Sequence, residues 1–438
     1  MSHQNLIAKL IKRLPNSGRE LLRLLIPAAQ AQSLPIYLVG GPLRDLLLNR
    51  PSLDLDICTE GEAMTLADAL AAHLAIRPRH HPAFGTTSLR LHGFSLDIAA
   101  ARSETYRHPG ALPTVRPASI HEDLRRRDFT INAMALRLDG PHAGDLLDPI
   151  GGQIDLAARR LRALHDRSFQ DDATRILRAC RYAARLGFTI ETQTLACLRR
   201  DLHFIDTISG ARLRNELSRL FAEPEPERAL LHMHRLGALR AVHPALSFDE
   251  QHRNAFESLR RLAPNTLPSA AWTLLAWDLS ENEAPSLSRR LALTRSQSAL
   301  VVAAPALRAI ETRLSVPRPS RSDLVALLSP FPLASLWALA AAAPQPIRSL
   351  CLDYLQRVRH IRPLLRGDDV LALGVPPGPQ VGQALARLSA AKLNGEVKSR
   401  ADEERLVQEF VAAATSALPP RPIVATAPRP ARPEALEG

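Results

Sequence analysis

Hydrophobic positions along this chain follow two different periods, and the change between them falls near residue 155. Between residue 36 and about residue 138, short apolar runs alternate with polar punctuation. Ile36-Tyr-Leu-Val39 is an unbroken apolar run stopped by Gly40-Gly41, the pattern of a short buried strand. Residues 43–48 fit one or two helical turns. Leu53-Asp-Leu-Asp-Ile57 alternates with period two and predicts a strand with one apolar face. Residues 66–74 have helical spacing, and 87–99 holds two more strand-like runs around His92-Gly93. This part of the chain predicts an α/β unit with a small sheet.

Beyond residue 155 the period becomes that of a helix. Segments 175–186, 213–221, 227–239, 299–314 and 323–342 all carry helical apolar spacing, and strand signals nearly vanish. The predicted class is α+β, a small-sheet head followed by an all-helical region. The boundaries read as a helical N-terminal extension (1–35), a catalytic head (36–155), a helical neck (156–245), a helical body and tail (246–418) and a Pro-rich end (419–438). In that end Pro419, Pro420, Pro422, Pro428, Pro430 and Pro433 come with few large apolar residues, so it is predicted to be disordered. Near the start, Leu6, Ile7, Leu10, Ile11 and Leu14 beside Lys9, Lys12 and Arg13 make an amphipathic basic helix. That pattern resembles a transit peptide, but a packed or RNA-facing helix is the better reading, because no cleavage signal follows.

Composition adds a partner. The net charge is +12 over 438 residues, which suits a polyanion, nucleic acid first. Aromatic residues make up only 4%, so base recognition is expected to rely on charge and hydrogen bonds. Cys58, Cys180, Cys197 and Cys351 are far apart and form no CxxC pair. This argues against disulfides and structural zinc and fits a reducing cytoplasm. No apolar run reaches the roughly 20 residues that span a bilayer, so no membrane role is expected. No obligate protein partner is evident, and His80, His81 and His121 read as surface or loop histidines.

The chemistry centres on two short patterns. Gly40-Gly41 lets the backbone approach a ligand closely, and the helix after it offers free N–H groups to a phosphate, with Arg44 as an added cation. Asp54 and Asp56 are two residues apart on a strand and therefore face the same side. Side by side, two carboxylates repel each other, and hard divalent cations such as Mg²⁺ relieve that cost while binding substrate phosphates. Asp97, in Phe94-Ser-Leu-Asp-Ile98, is a candidate third carboxylate; a solvated or capping role is its alternative.

At this point the motifs become specific. Leu38-Val-Gly-Gly-Pro-Leu-Arg-Asp45, Leu53-Asp-Leu-Asp-Ile57 and Arg126-Arg-Asp-Phe-Thr-Ile-Asn-Ala-Met-Ala135 together resemble the class II tRNA nucleotidyltransferase and bacterial poly(A) polymerase family. Phe84-Gly-Thr-Thr87, Asp148 to Asp155, Asp171 to Phe188 and Ser209 to Leu217 continue the resemblance in order, over roughly residues 36–245. The resemblance implies an enzyme that adds C, C and A to the 3′ end of tRNA from CTP and ATP without a nucleic acid template. It further implies that Asp54 and Asp56 bind Mg²⁺ and run the transfer. Gly41, Arg44 and Arg127 would contact the nucleotide. Asp172 and Arg175 would read its base, with Arg178 and Arg181 on the same helix. Where the family usually has Glu-Asp at the start of that helix, this chain has Asp171-Asp172. Segment 99–121, with Tyr106, His108, Pro109-Gly110 and Pro113, reads as a loop that moves, and in the family this region assists the switch from CTP to ATP. An A-adding or CC-adding enzyme, a poly(A) polymerase and an inactive RNA-binding homologue are the alternatives; the intact Asp54/Asp56 pair argues against the last.

Overall fold

The structure, a computed structural model, describes residues 4–51, 54–82, 85–314 and 319–416. Leu53, Phe84 and the Pro-rich end from 419 lie outside the described residues. The chain forms two compact units, Met1–Ala309 with Pro332–Pro344, and Ile310–Phe331 with Gln345–Gly438. The helical half is therefore not one continuous body: the chain leaves the first unit, returns for a single helix, and leaves again.

The first unit opens with helices α1 (Gln4–Arg13) and α2 (Asn16–Ala31). Leu6, Leu10 and Leu14 are buried, which is the packed reading of the basic N-terminal helix. Arg19 donates to the carbonyls of Ile11, Lys12 and Leu14 and so satisfies the end of α1. Strand β1 (Ile36–Val39) follows, then α3 (Gly40–Leu47), β2 (Asp54–Thr59) and α4 (Ala63–Leu74). Next come β3 (Arg79–His81), β4 (Thr86–Leu91), β5 (Phe94–Ala100), β6 (Arg102–Thr105), β7 (Thr114–Pro117), α5 (Ile120–Arg125), β8 (Ala135–Arg137) and β9 (Leu146–Leu147).

Seven of these strands make one mixed sheet in the order β3-β4-β5-β2-β1-β8-β9. Its one parallel pair is β2 with β5, and this pair sets Asp56 level with Asp97. Alternation then divides the residues. Leu38, Leu55, Ile57, Leu96 and Ile98 point into the main core with α2 and α4. Tyr37, Val39 and Cys58 point to the opposite face, where Ile120 and Leu124 of α5 cover part of it. Asp54 and Asp56 share that second face.

After the sheet come helices α6 (Gly152–Ala157), α7 (Ser168–Asp171), α8 (Thr174–Leu186), α9 (Thr192–Arg200) and α10 (Gly210–Phe221). Ile176, Leu177, Ala179, Cys180 and Ala183 bury one side of α8. Three segments depart from the sequence reading. Residues 227–239 are split between two helices, Pro226–Arg235 and Ala238–Val242, broken at Gly237 with φ +81°. Residues 323–342 form two helices, Arg321–Leu328 and Leu333–Ala342, because Pro330 and Pro332 cannot continue a helical hydrogen-bond ladder. Segment 99–121 is not an open loop: β6 and β7 pair as an antiparallel hairpin, and Ser119 caps α5 in a capping box with Glu122.

The second unit packs Leu365, Val370, Val375, Leu388 and Val407 into a small core of its own. The buried carboxylate of Glu403 accepts from the backbone N–H groups of Leu364 and Leu365 and pairs with Lys392 at 2.9 Å.

Candidate active site

A cavity of about 500 Å³ opens between the sheet's second face, the β6–β7 hairpin and helices α8 and α10. Gly40, Gly41 and Asp56 line it from the sheet side, and Asp172, Arg175 and Arg178 from the helical side; Arg127 and Asn132 line it too. Five of the predicted residues outside the Gly-Gly turn thus share one space. Asp54 and Asp97 are exposed beside Asp56 rather than inside the cavity.

At the sheet end, Gly40 has φ +67°, in the left-handed region that favours glycine. A Cβ there would sit 3.2 Å from Arg127 Nη1 and 3.3 Å from Asp56 Oδ2, so the turn runs directly past both charges. Burial raises the Asp56 carboxyl, and the neighbouring Asp54 and Asp97 raise it further, against Arg127 and Arg44; it reaches about 7. Asp56 thus resists carrying its charge alone near neutral pH. The donor set consists of carboxylate oxygens only. Both facts fit a hard divalent cation held by Asp54 and Asp56.

Arg44 lies deeper than the sequence suggested. It is 2% exposed and donates to Asn132 Oδ1 at 2.8 Å and to Asp45 Oδ1 at 3.0 Å. It stands behind Gly41, whose Cβ position is 3.7 Å from Arg44 Nη2. Arg127 is held by Asp123, Nη2 to Oδ2 at 2.8 Å, and Arg126 grips the other oxygen at 2.5 Å. Burial alone would raise the Asp123 carboxyl, but Arg127 and Arg126 hold it below the ordinary range.

At the helix end, Asp172 Oδ1 accepts from Thr174 N (2.9 Å) and Thr174 Oγ1 (2.6 Å), at the first residue of α8. Arg212, from α10, donates to the same oxygen at 2.7 Å. Arg175 is fixed by Ser168 Oγ at 2.7 Å and by the Arg126 carbonyl at 2.8 Å. Arg178 forms a two-pronged pair with Asp128 Oδ2, at 2.9 and 2.5 Å. Burial pushes the Asp128 carboxyl up and Arg178 pulls it down harder, to about 2. Arg181 faces elsewhere, toward Glu223 at 3.2 Å and Glu216 at 3.6 Å. Each three-residue step turns a helix by about −60°, so Arg181 lies two such steps from Arg175.

The hairpin supplies the third wall. Glu104 accepts from Arg102, Arg126 and Tyr106, the last at 2.8 Å. Burial, then the Glu104 charge, raises the Tyr106 phenol. Reasoning from the sequence did not single out Glu104, Asp123, Asp128, Arg212 or Tyr182 as site residues. Arg212 was within reach, because its segment 209–217 belongs to the ordered motifs. Among the described residues, one trio brings three metal-type donor atoms within 4.8 Å of one another, Asp249, His252 and Asp278. The His252 ring turns Nδ1 to Asp249 (2.7 Å) and Nε2 to Asp278 (3.4 Å), so its two nitrogens serve separate carboxylates.

Comparison with known proteins gives the family. Residues 36–162 match the family described as the poly A polymerase head domain, and 187–249 match the probable RNA and SrmB-binding site of polymerase A. An A-adding tRNA nucleotidyltransferase of Geobacter sulfurreducens is 34% identical over 90% of this chain and 47% of its own length. The chain thus spans about half of that relative. A CC-adding tRNA nucleotidyltransferase of Deinococcus radiodurans is 37% identical over 84% of this chain and 87% of its own. The Thermotoga maritima CCA-adding enzyme complexed with tRNA-CCA has a TM-score of 0.71 at 27% identity, over 93% of this chain and 98% of that one. The chain belongs to the tRNA nucleotidyltransferase family. Among the described residues, no single helix is long and apolar enough to cross a membrane.

Proposed function

We propose that this protein adds C, C and A to the 3′ end of tRNA, using CTP and ATP and no nucleic acid template. The observation that carries the reading is one cavity lined by Gly40, Gly41 and Asp56 from the sheet side and by Asp172 and Arg175 from the helical side. A nucleoside triphosphate has the same polarity, phosphates at one end and base at the other.

Asp54 and Asp56 would hold Mg²⁺. When bound, Mg²⁺ neutralises phosphate charge and makes the attacking hydroxyl more acidic. The chain's own residues supply the rest. The free N–H groups at the start of α3 and the Arg127 guanidinium bind phosphate oxygens. Asp172 accepts from the exocyclic amino group that cytosine and adenine share. Arg175 donates in a fixed plane, because Ser168 and the Arg126 carbonyl hold its fork. Arg44 acts from behind the wall by fixing Asn132. The +12 net charge supports a long RNA partner, gripped mainly through phosphates.

One observation favours a second reading, addition of A alone or of CC alone. The two relatives described above, at 34% and 37% identity, are named for those partial activities. A single experiment separates the readings. A tRNA ending at the discriminator base, a tRNA ending in CC and an unrelated RNA are each offered CTP, ATP or both. Full addition to the first tRNA supports the CCA reading. Extension of only one tRNA points to a partial enzyme, and extension of the unrelated RNA to a poly(A) polymerase.

A further inference from the structure

In the cavity wall itself, one aromatic ring joins the β1–α3 turn to helix α8. Arg44, from α3, and Arg178 and Arg181, from α8, all lie against Tyr182. Their guanidinium carbons are 5.3, 5.4 and 4.8 Å from its ring centroid. The ring is buried and stands edge-on to Phe129 at 5.9 Å.

Three like charges gather around one ring only where their repulsion is offset. The negative face of the ring offsets part of it. Carboxylates on the outer side offset more: Asp45 pairs with Arg44 at 2.9 Å, Asp128 with Arg178 at 2.5 Å and Glu216 with Arg181 at 3.6 Å. The same groups close a circuit. Arg44 donates to Asn132 Oδ1 (2.8 Å), Asn132 Nδ2 to Asp128 Oδ1 (3.0 Å), and Arg178 to both Asp128 and the Tyr182 hydroxyl (3.1 Å). Helices α3 and α8 therefore meet on Tyr182 through guanidinium groups and through a hydrogen-bond chain that is buried at Asn132 and partly buried at Arg178.

A nucleoside triphosphate has a limited reach from its phosphates to its base edge. If the chain reads one end at Gly40-Gly41 and the other at Asp172 and Arg175, the spacing between those groups sets which base edges are accepted. We propose that Tyr182 is a positioning residue whose ring sets α8 at a fixed spacing from the β1–α3 turn, and with it nucleotide selectivity. This inference rests on the nucleotide-addition reading above. It assigns no contact between Tyr182 and the reacting atoms.

The test uses the full chain, whichever tRNA end the wild type extends, and each of the four nucleoside triphosphates. The wild type is measured first: if it extends no RNA, the nucleotide-addition reading fails, independently of Tyr182. Tyr182→Phe keeps the ring, and its KM for the preferred nucleotide stays within about threefold of wild type. Tyr182→Leu removes the ring at similar bulk. Its KM rises about tenfold, its kcat changes less, and its preference over UTP and GTP falls about tenfold. Circular dichroism and thermal melting establish that the variants are folded. Should the leucine variant not fold, Arg44→Lys keeps the charge without the planar fork and carries the same expectation. A folded Tyr182→Leu with unchanged KM and unchanged selectivity overturns the proposal. So does a phenylalanine variant as damaged as the leucine one, and, where Arg44→Lys stands in, an unchanged Arg44→Lys.

Discussion

Arg212 and Asp172 meet at 2.7 Å on the wall of the nucleotide-sized cavity, and Arg212 also reaches the Gly110 carbonyl at the hairpin tip at 3.4 Å. One guanidinium thus touches both the proposed base reader and the hairpin. Arg212→Ala is expected to leave Asp172 held only by its own helix turn. Discrimination between CTP and ATP, read by single-nucleotide incorporation, should weaken by about tenfold, the scale of one charge-assisted hydrogen bond. Unaltered discrimination would remove Arg212 from the selecting group.

Asp56→Asn tests the reaction centre. The variant keeps the shape and loses a proposed ligand for the cation, so incorporation should fall more than about 100-fold, beyond what the loss of an outer-shell partner costs. The wild type should lose activity in EDTA and recover it when Mg²⁺ is added in excess. Robust incorporation by Asp56→Asn would displace Asp56 from that centre.

The Asp56 carboxyl also sets a pH dependence. Its folded value of about 7 lies above the ordinary 3.8. A raised value means that the folded state favours the proton. In the metal-free protein this contribution to stability is fully present below about pH 4 and lost as pH rises through about 7. The melting temperature of metal-free wild type should therefore fall relative to Asp56→Asn between pH 5.5 and 8 (a range chosen to bracket about 7). Mg²⁺ should reverse the loss at pH 8. Parallel pH curves for the two proteins would refute this assignment.

Asp128 and Arg178 form a pair with little solvent around it, their side chains 8% and 25% exposed. Arg178→Met leaves a buried carboxylate without its main cation and is expected to cost roughly 3–5 kcal/mol in urea unfolding. Asp128→Asn combined with Arg178→Met should cost less than Arg178→Met alone. Simple additivity of the two changes would show that the pair is not coupled.

How much of this was legible beforehand follows from what each residue depends on. The Asp54-Asp56 strand needs only its own alternation, and α8 needs only its apolar spacing, so both were readable. Arg181 is on the same helix as Arg175, as read, but two three-residue steps turn it by about −120°, toward Glu223 and Glu216. The hairpin was read as a loop because Arg102–Thr105 and Thr114–Pro117 have little apolar alternation. Backbone pairing and the Glu104 ion network hold it instead, and Arg126, which grips Glu104, is distant in sequence. Tyr182 was invisible as a hub for the same reason. Of the three guanidiniums on it, Arg44 comes from more than a hundred positions away.

The seat of the hairpin tip has a consequence for mutational tolerance. Gly110, at φ +79°, presses against Thr207 so closely that a Cβ would fall 2.4 Å from Thr207 Oγ1 and 2.5 Å from its carbonyl oxygen. Two objections, handedness and space, then apply to every other residue at that position, alanine included. The neighbours of Gly110 are free of the objection from backbone handedness, but this one position is restricted to glycine by geometry. What the tip can accept is therefore limited by a residue nearly a hundred positions further along the chain, Thr207.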